Sequence, residues 1–93
     1  MILSDNDIAA QLACLPGWRL EAGSLVRRYE FRDWQQALAF VNALGYFAER
    51  AGHHPDLELG YGYCTVRWRS HEAGGITAAD LAGARRSEEL ARA

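Results

Sequence analysis

The stretch GHHPDLELGYGYCTVRWR, residues 52 to 69, decides how the rest of the chain is read. Leu57, Leu59 and Tyr61 alternate with Asp56, Glu58 and Gly60, the period of two expected of a half-buried strand. Gly60-Tyr61-Gly62 supplies a turn, and a second run from Tyr63 to Arg69 puts Cys64, Val66 and Trp68 on one face. The stretch is therefore a hairpin, and a hairpin makes an antiparallel sheet. Its entry is equally informative. Gly52 suits the left-handed residue that closes a helix, and Pro55 keeps that helix from resuming.

Upstream, the helix that Gly52 closes begins at Asp33, whose carboxylate caps while Gln36 reaches back. Trp34, Leu38, Val41, Leu44 and Ala48 give it an apolar face that runs to about Ala51. Before it, Trp18 to Glu21 and Leu25 to Phe31 read as two more strands flanking an Ala22-Gly23-Ser24 turn. Ser4 and Asp7 resemble a capping box for a first helix, with Leu3 and Ile8 as its hydrophobic staple. Ile8, Leu12 and Leu15 lie on one face, and Pro16-Gly17 ends the segment. Downstream, Thr77 caps a third helix with Asp80 three residues on, and Ile76 is placed to staple Leu81. The order α-β-β-α-β-β-α predicts an α+β fold: a four-stranded antiparallel sheet with helices packed on one face, formed by residues 1–93 as a single domain. The open edges of such a sheet call for partners, so a homodimer or tetramer is expected.

Hydrophobic residues are 49% of the 93 and charged residues 24%, a globular balance. A net charge of −2 and dispersed arginines argue against nucleic acid as a partner. No apolar run approaches the roughly 20 residues of a membrane span, which argues against a membrane. Two cysteines, Cys14 and Cys64, fall in no pairing pattern, and the first residues lack a basic, apolar leader; both features predict a cytoplasmic protein with reduced thiols.

All three histidines lie between positions 53 and 71. Glu49 stands one helical turn before His53, within reach of its ring if the last turn holds. His71 is expected to end the fourth strand, which would bring it back to the helix-to-strand corner. Each residue also has a plainer reading. His53 would complement a helix dipole for about 0.3–1 kcal/mol. His54 before Pro55 and His71 before Glu72 would be solvated loop residues, and Asp80 would be only a cap.

Taken together, the spacing Glu49-x3-His53-His54-Pro55-x5-Tyr61-x9-His71-x8-Asp80 resembles the signature of the pterin-4a-carbinolamine dehydratase family. The likeness extends to Leu15-Pro16-Gly17-Trp18, to Phe31-Arg32-Asp33 with Ala37 to Val41, and to Ala48-Glu49 before the paired histidines, covering the chain from about Leu12 to Leu90. The resemblance implies an α+β enzyme, a hydro-lyase, that dehydrates 4a-hydroxytetrahydropterins to quinonoid dihydropterins and so recycles the pterin cofactor of aromatic amino acid hydroxylases. It implies neither metal nor organic cofactor, and an oligomer joined through sheet edges and helices.

The chemistry suits the residue types. Losing water from C4a needs a proton for the departing hydroxyl and removal of the N5 proton, and imidazole, near 6.5, works on both sides of neutrality. By resemblance, His53 and His71 are the acid–base candidates, His54 orients the pterin, and Glu49 tunes or orients His53. Ser70 and Asp80 shape the pocket, and Tyr61 is an aromatic substrate contact or packing in a turn. Leu57 stands where animal members carry tryptophan, so one pocket wall differs. Some animal relatives also bind a homeodomain transcription factor, but no residue pattern here carries that role. Two rival readings remain. Glu49, His53, His54 and His71 could offer nitrogen and oxygen ligands to zinc, although adjacent histidines rarely aim at one ion. The chain could also be a non-catalytic dimeric regulatory or interaction module of the same fold.

Overall fold

β2 (Ser24–Glu30) and β4 (Tyr63–Trp68) pair antiparallel along their lengths, from Leu25 opposite Trp68 to Glu30 opposite Tyr63. They form the centre of a four-stranded sheet of order β1-β2-β4-β3, in which β1 (Arg19–Glu21) and β3 (Asp56–Gly60) are the edges. The structure is a computed structural model and describes residues 1–92. α1 (Asp5–Leu12) precedes the first hairpin, α2 (Trp34–Ala51) joins the hairpins, and α3 (Ala78–Arg92) follows the second. The α-β-β-α-β-β-α order and the antiparallel sheet are as the sequence predicts. No helix among the described residues is long and apolar enough to cross a membrane.

The alternation of the central strands decides which face is covered. Leu25 and Tyr29 on β2 and Cys64, Val66 and Trp68 on β4 are all buried on the helical side. Phe40 of α2 fills the middle of that layer, its ring 5.1 Å from Tyr29 and 5.2 Å from Phe31. At the rim, Glu88 of α3 accepts hydrogen bonds from Trp18 Nε1 at 2.9 Å and from the Tyr29 hydroxyl at 2.6 Å. Burial, reinforced by that bond to Glu88, pushes the Tyr29 phenol well above its ordinary range. Burial alone pushes the Cys64 thiol up to about 11, which leaves it a packing group rather than a nucleophile.

The helix ends follow the capping chemistry. Asp33 accepts from the Gln36 backbone N–H at 2.9 Å, and Gln36 Oε1 accepts from the Arg32 N–H at 2.8 Å. The Gln36 N–H holds the Asp33 carboxyl below its ordinary value. That contribution to the helix is therefore present above the ordinary carboxylate range and fades as pH falls through the lowered value. At the other end Gly52 has φ 68° and the His53 N–H closes on the Ala48 carbonyl at 3.2 Å, a Schellman ending.

Four details differ from expectation. The buried face of α2 is Ala37, Phe40, Leu44 and Ala48, whereas Trp34 is substantially exposed. Phe40 sets that rotation, because its ring is the one that fits between Tyr29 and Phe31. The first hairpin turns on two residues, Ala22 (φ 51°) and Gly23 (φ 82°), with Ser24 already paired to Glu21. β3 starts at Asp56 but ends at Gly60, so the strand stops one residue short of the expected alternation and Tyr61 belongs to the turn. β4 stops at Trp68, and Ser70 forms an isolated bridge with Gly75, so His71 sits on a small closed loop beyond the strand rather than at its end.

Candidate active site

Asp80 organises the corner where α2, β4 and α3 meet. It is the third residue after Thr77, and its Oδ2 accepts from the Thr77 backbone N–H at 2.9 Å, the half of a capping box that the third position supplies. The Thr77 hydroxyl does not complete the box. It lies 2.8 Å from Ser70 Oγ, which in turn donates to Asp80 Oδ2 at 2.8 Å. Because the single Ser70 proton goes to Asp80, Thr77 must donate to Ser70. Asp80 Oδ1 is left for His53 Nε2, at 2.6 Å. The Asp80 side chain is 0% exposed and that of His53 21%.

This arrangement assigns the His53 tautomer. An ionised carboxylate only accepts, so Nε2 carries the proton toward Asp80 and Nδ1 is the nitrogen left to take or give one. The ring is also held on its face: it stacks on Trp68 with centroids 5.5 Å apart and planes inclined by 26°. Gly52, by reversing the chain after α2, turns His53 inward onto Trp68 while His54 stays at the surface.

The other two histidines each meet a different carboxylate. His54 Nε2 is 2.8 Å from Glu49 Oε1, with both side chains exposed. Glu49, expected beside His53, pairs with His54 instead. After the left-handed Gly52, the ring one turn beyond Glu49 points into the core, and the next ring takes the carboxylate. His71 Nε2 lies 4.0 Å from Asp56 Oδ2, and its side chain is 69% exposed. Through Ser70, Asp80 grips the start of the His71 loop as well as His53, so one buried carboxylate anchors both segments.

Tyr61 does not join this corner. It is 75% exposed in the β3–β4 turn, five residues along β3 from Asp56 and so about 16 Å away at a strand's rise. Leu57 and Glu49 instead border an open groove with Val41, Asn42 and Tyr46 on the outer side of α2. Sequence reasoning missed three contributors. Asp56 carried a signal, since it follows the histidine pair and would share a sheet end with His71. Trp68 read as core, which it is, and Thr77 read only as a cap.

Comparison with known proteins identifies the chain's relatives. The family model described as pterin 4 alpha carbinolamine dehydratase matches residues 1–90. A Thermomicrobium roseum protein provisionally named pterin-4-alpha-carbinolamine dehydratase is 45% identical over 89 residues, 96% of each chain. One from Thermosynechococcus vestitus with the same provisional name is 47% identical over 79 residues, 85% of this chain and 83% of its own. The crystal structure of a transcriptional coactivator/pterin dehydratase from Brucella melitensis superposes with TM-score 0.94 at 26% identity, covering 98% of this chain and 99% of that one. A pterin dehydratase-like protein described as a RuBisCO assembly factor in the alpha-carboxysome superposes less closely, with TM-score 0.70, 28% identity and coverage of 81% and 89%. By sequence along nearly its whole length and by fold, this chain belongs to the pterin-4a-carbinolamine dehydratase family.

Proposed function

We propose that the chain is a hydro-lyase that converts 4a-hydroxytetrahydropterins to quinonoid dihydropterins and water. The observation that carries this reading is His53, an imidazole with one nitrogen committed to a buried carboxylate and the other left for chemistry. In the reaction the C4a–O bond breaks and the oxygen leaves as water with a proton from an imidazolium. A neutral imidazole takes the N5 proton, and the N–H electron pair becomes the C=N bond. Only protons are exchanged with the protein, which two histidines of opposite protonation can supply. His53 and His71 are the pair we assign. His54, held at the rim by Glu49, orients the pterin, while Ser70 and Asp80 position rather than react. Recycling the cofactor of an aromatic amino acid hydroxylase in the cytoplasm is the physiological role that fits.

Stopped-flow measurement of dehydration tests the reading, with a rate no faster than the uncatalysed reaction overturning it. That outcome would favour a non-catalytic interaction module, a reading in keeping with the RuBisCO assembly factor of the alpha-carboxysome that shares this fold. His54→Ala is expected to raise KM by about 5-fold or more while lowering kcat less, as loss of uniform binding does.

The 93 residues are read as a single domain that acts as a homodimer or a dimer of dimers, one histidine site to each subunit. The two edge strands, β1 and β3, support this because their outer backbone groups are open to pairing. Sedimentation equilibrium at micromolar protein should give a dimer or tetramer; a single species near 10.4 kDa refutes the assembly and leaves the catalytic reading standing.

A further inference from the structure

α3 turns a polar stripe into the core. Asp80 and Ser87 are both fully buried, with buried Gly83 between them, and the i, i+3, i+7 spacing places all three on one helix face. Asp80 is explained by its bonds to His53, Ser70 and Thr77. Ser87 touches neither a histidine nor a carboxylate of the site, yet its buried hydroxyl makes two hydrogen bonds, one of them with Trp68. Its Oγ donates to the Gly83 carbonyl at 2.8 Å and accepts from Trp68 Nε1 at 3.1 Å. Gly83 makes the approach possible, since a Cβ there would stand 2.5 Å from Trp68 Cε2.

A single hydrogen bond at Nε2 leaves an imidazole free to pivot about the line to Asp80. The Trp68 ring removes that freedom by stacking on His53. The stack, in turn, is only as fixed as the indole, which packs against Phe47 and Gly83 and has its N–H directed onto Ser87. We propose that Ser87 is a positioning residue for the dehydration: it locks the Trp68 indole, and the indole sets the plane in which His53 presents Nδ1. The inference rests on the assignment of His53 as an acid–base group, and it is the kind of remote support that reactive side chains need to keep their aim.

A double-mutant cycle with a second, activity-independent readout tests it. Ser87→Ala should lower kcat by about 5-fold with KM unchanged, and the loss should vanish in a Trp68→Phe background, where there is no indole N–H to hold. In ring ¹H–¹⁵N spectra, the His53 Nε2–H signal should broaden or split in Ser87→Ala. If Ser87→Ala does not fold, Ser87→Cys, a weaker acceptor of similar size, should show the same changes at about 2-fold in kcat. An unchanged kcat in a folded variant, or an equal loss in the Trp68→Phe background, overturns the proposal. Should the wild-type protein prove inactive as a dehydratase, the spectra still decide: an unperturbed His53 signal in Ser87→Ala rejects the positioning role, and a perturbed one upholds it.

Discussion

His53→Ala is expected to lower kcat for dehydration by about 10²–10⁴-fold, the range for loss of a positioned acid or base. The fold should survive, because the ring lies at the edge of the core and water can reach the space it vacates. Stripping Asp80 Oδ1 of its donor and exposing one face of Trp68 should cost about 1–3 kcal/mol, visible as a lower melting temperature. His71→Ala separates the two effects. Its side chain is mostly exposed and makes only a 4.0 Å approach to Asp56, so its melting curve should match the wild type while its kcat falls at least ten-fold. Stopped-flow kinetics on both variants, with thermal melts followed by circular dichroism, checks the pair. A kcat within three-fold of wild type in a folded His53→Ala protein would remove His53 from the chemistry.

Much of this molecule is legible in its sequence, and for local reasons. Hairpin alternation, Asp33, Gly52 and Thr77 each act within a few residues of themselves, so they announce the elements and their ends. The gathering of His53 and Asp80 into one corner was also legible, but only through spacing that resembles a family's. What stayed hidden depends on rotation and on partners distant in sequence. A partial rotation of the helix replaced Trp34, Leu38 and Val41 by Ala37 and Phe40 on the buried face of α2 while Leu44 and Ala48 stayed, and no capping rule fixes that phase; the packing of Phe40 does. The exchange of Glu49 from His53 to His54 has a similar origin. Helical spacing predicts a contact only while the helix lasts, and Gly52 ends it between the two partners. Trp68, Gly83 and Ser87 gave no hint of acting together, because an indole, a missing Cβ and a buried hydroxyl become one device only when β4 lies under α3.

Asp80→Asn is expected to lower kcat by about 10²–10³-fold while leaving the fold within about 1–2 kcal/mol of wild type. The reason is a mismatch of donors. Asp80 accepts three hydrogen bonds: from Ser70 and the Thr77 N–H at Oδ2, and from His53 at Oδ1. An asparagine has one acceptor oxygen, and the two donors at the Oδ2 position claim it. Its amide nitrogen then faces His53 Nε2, and two N–H groups cannot face each other. The imidazole must shift its proton to Nδ1, so that Nε2 accepts from the amide. The nitrogen left toward the substrate is then protonated in the neutral ring, and the neutral ring can no longer take a proton there. Asp80→Ala is the contrasting variant. It leaves three donors without a partner in a buried corner and should cost about 3–5 kcal/mol, so its loss of activity would come with a loss of structure. The Asn variant avoids that confusion. Ring ¹⁵N shifts of His53 should report a proton on Nδ1 in Asp80→Asn and on Nε2 in the wild type. If the tautomer switches and kcat does not fall, His53 does not act through Nδ1; if neither changes, Asp80 does not set the ring's protonation at all.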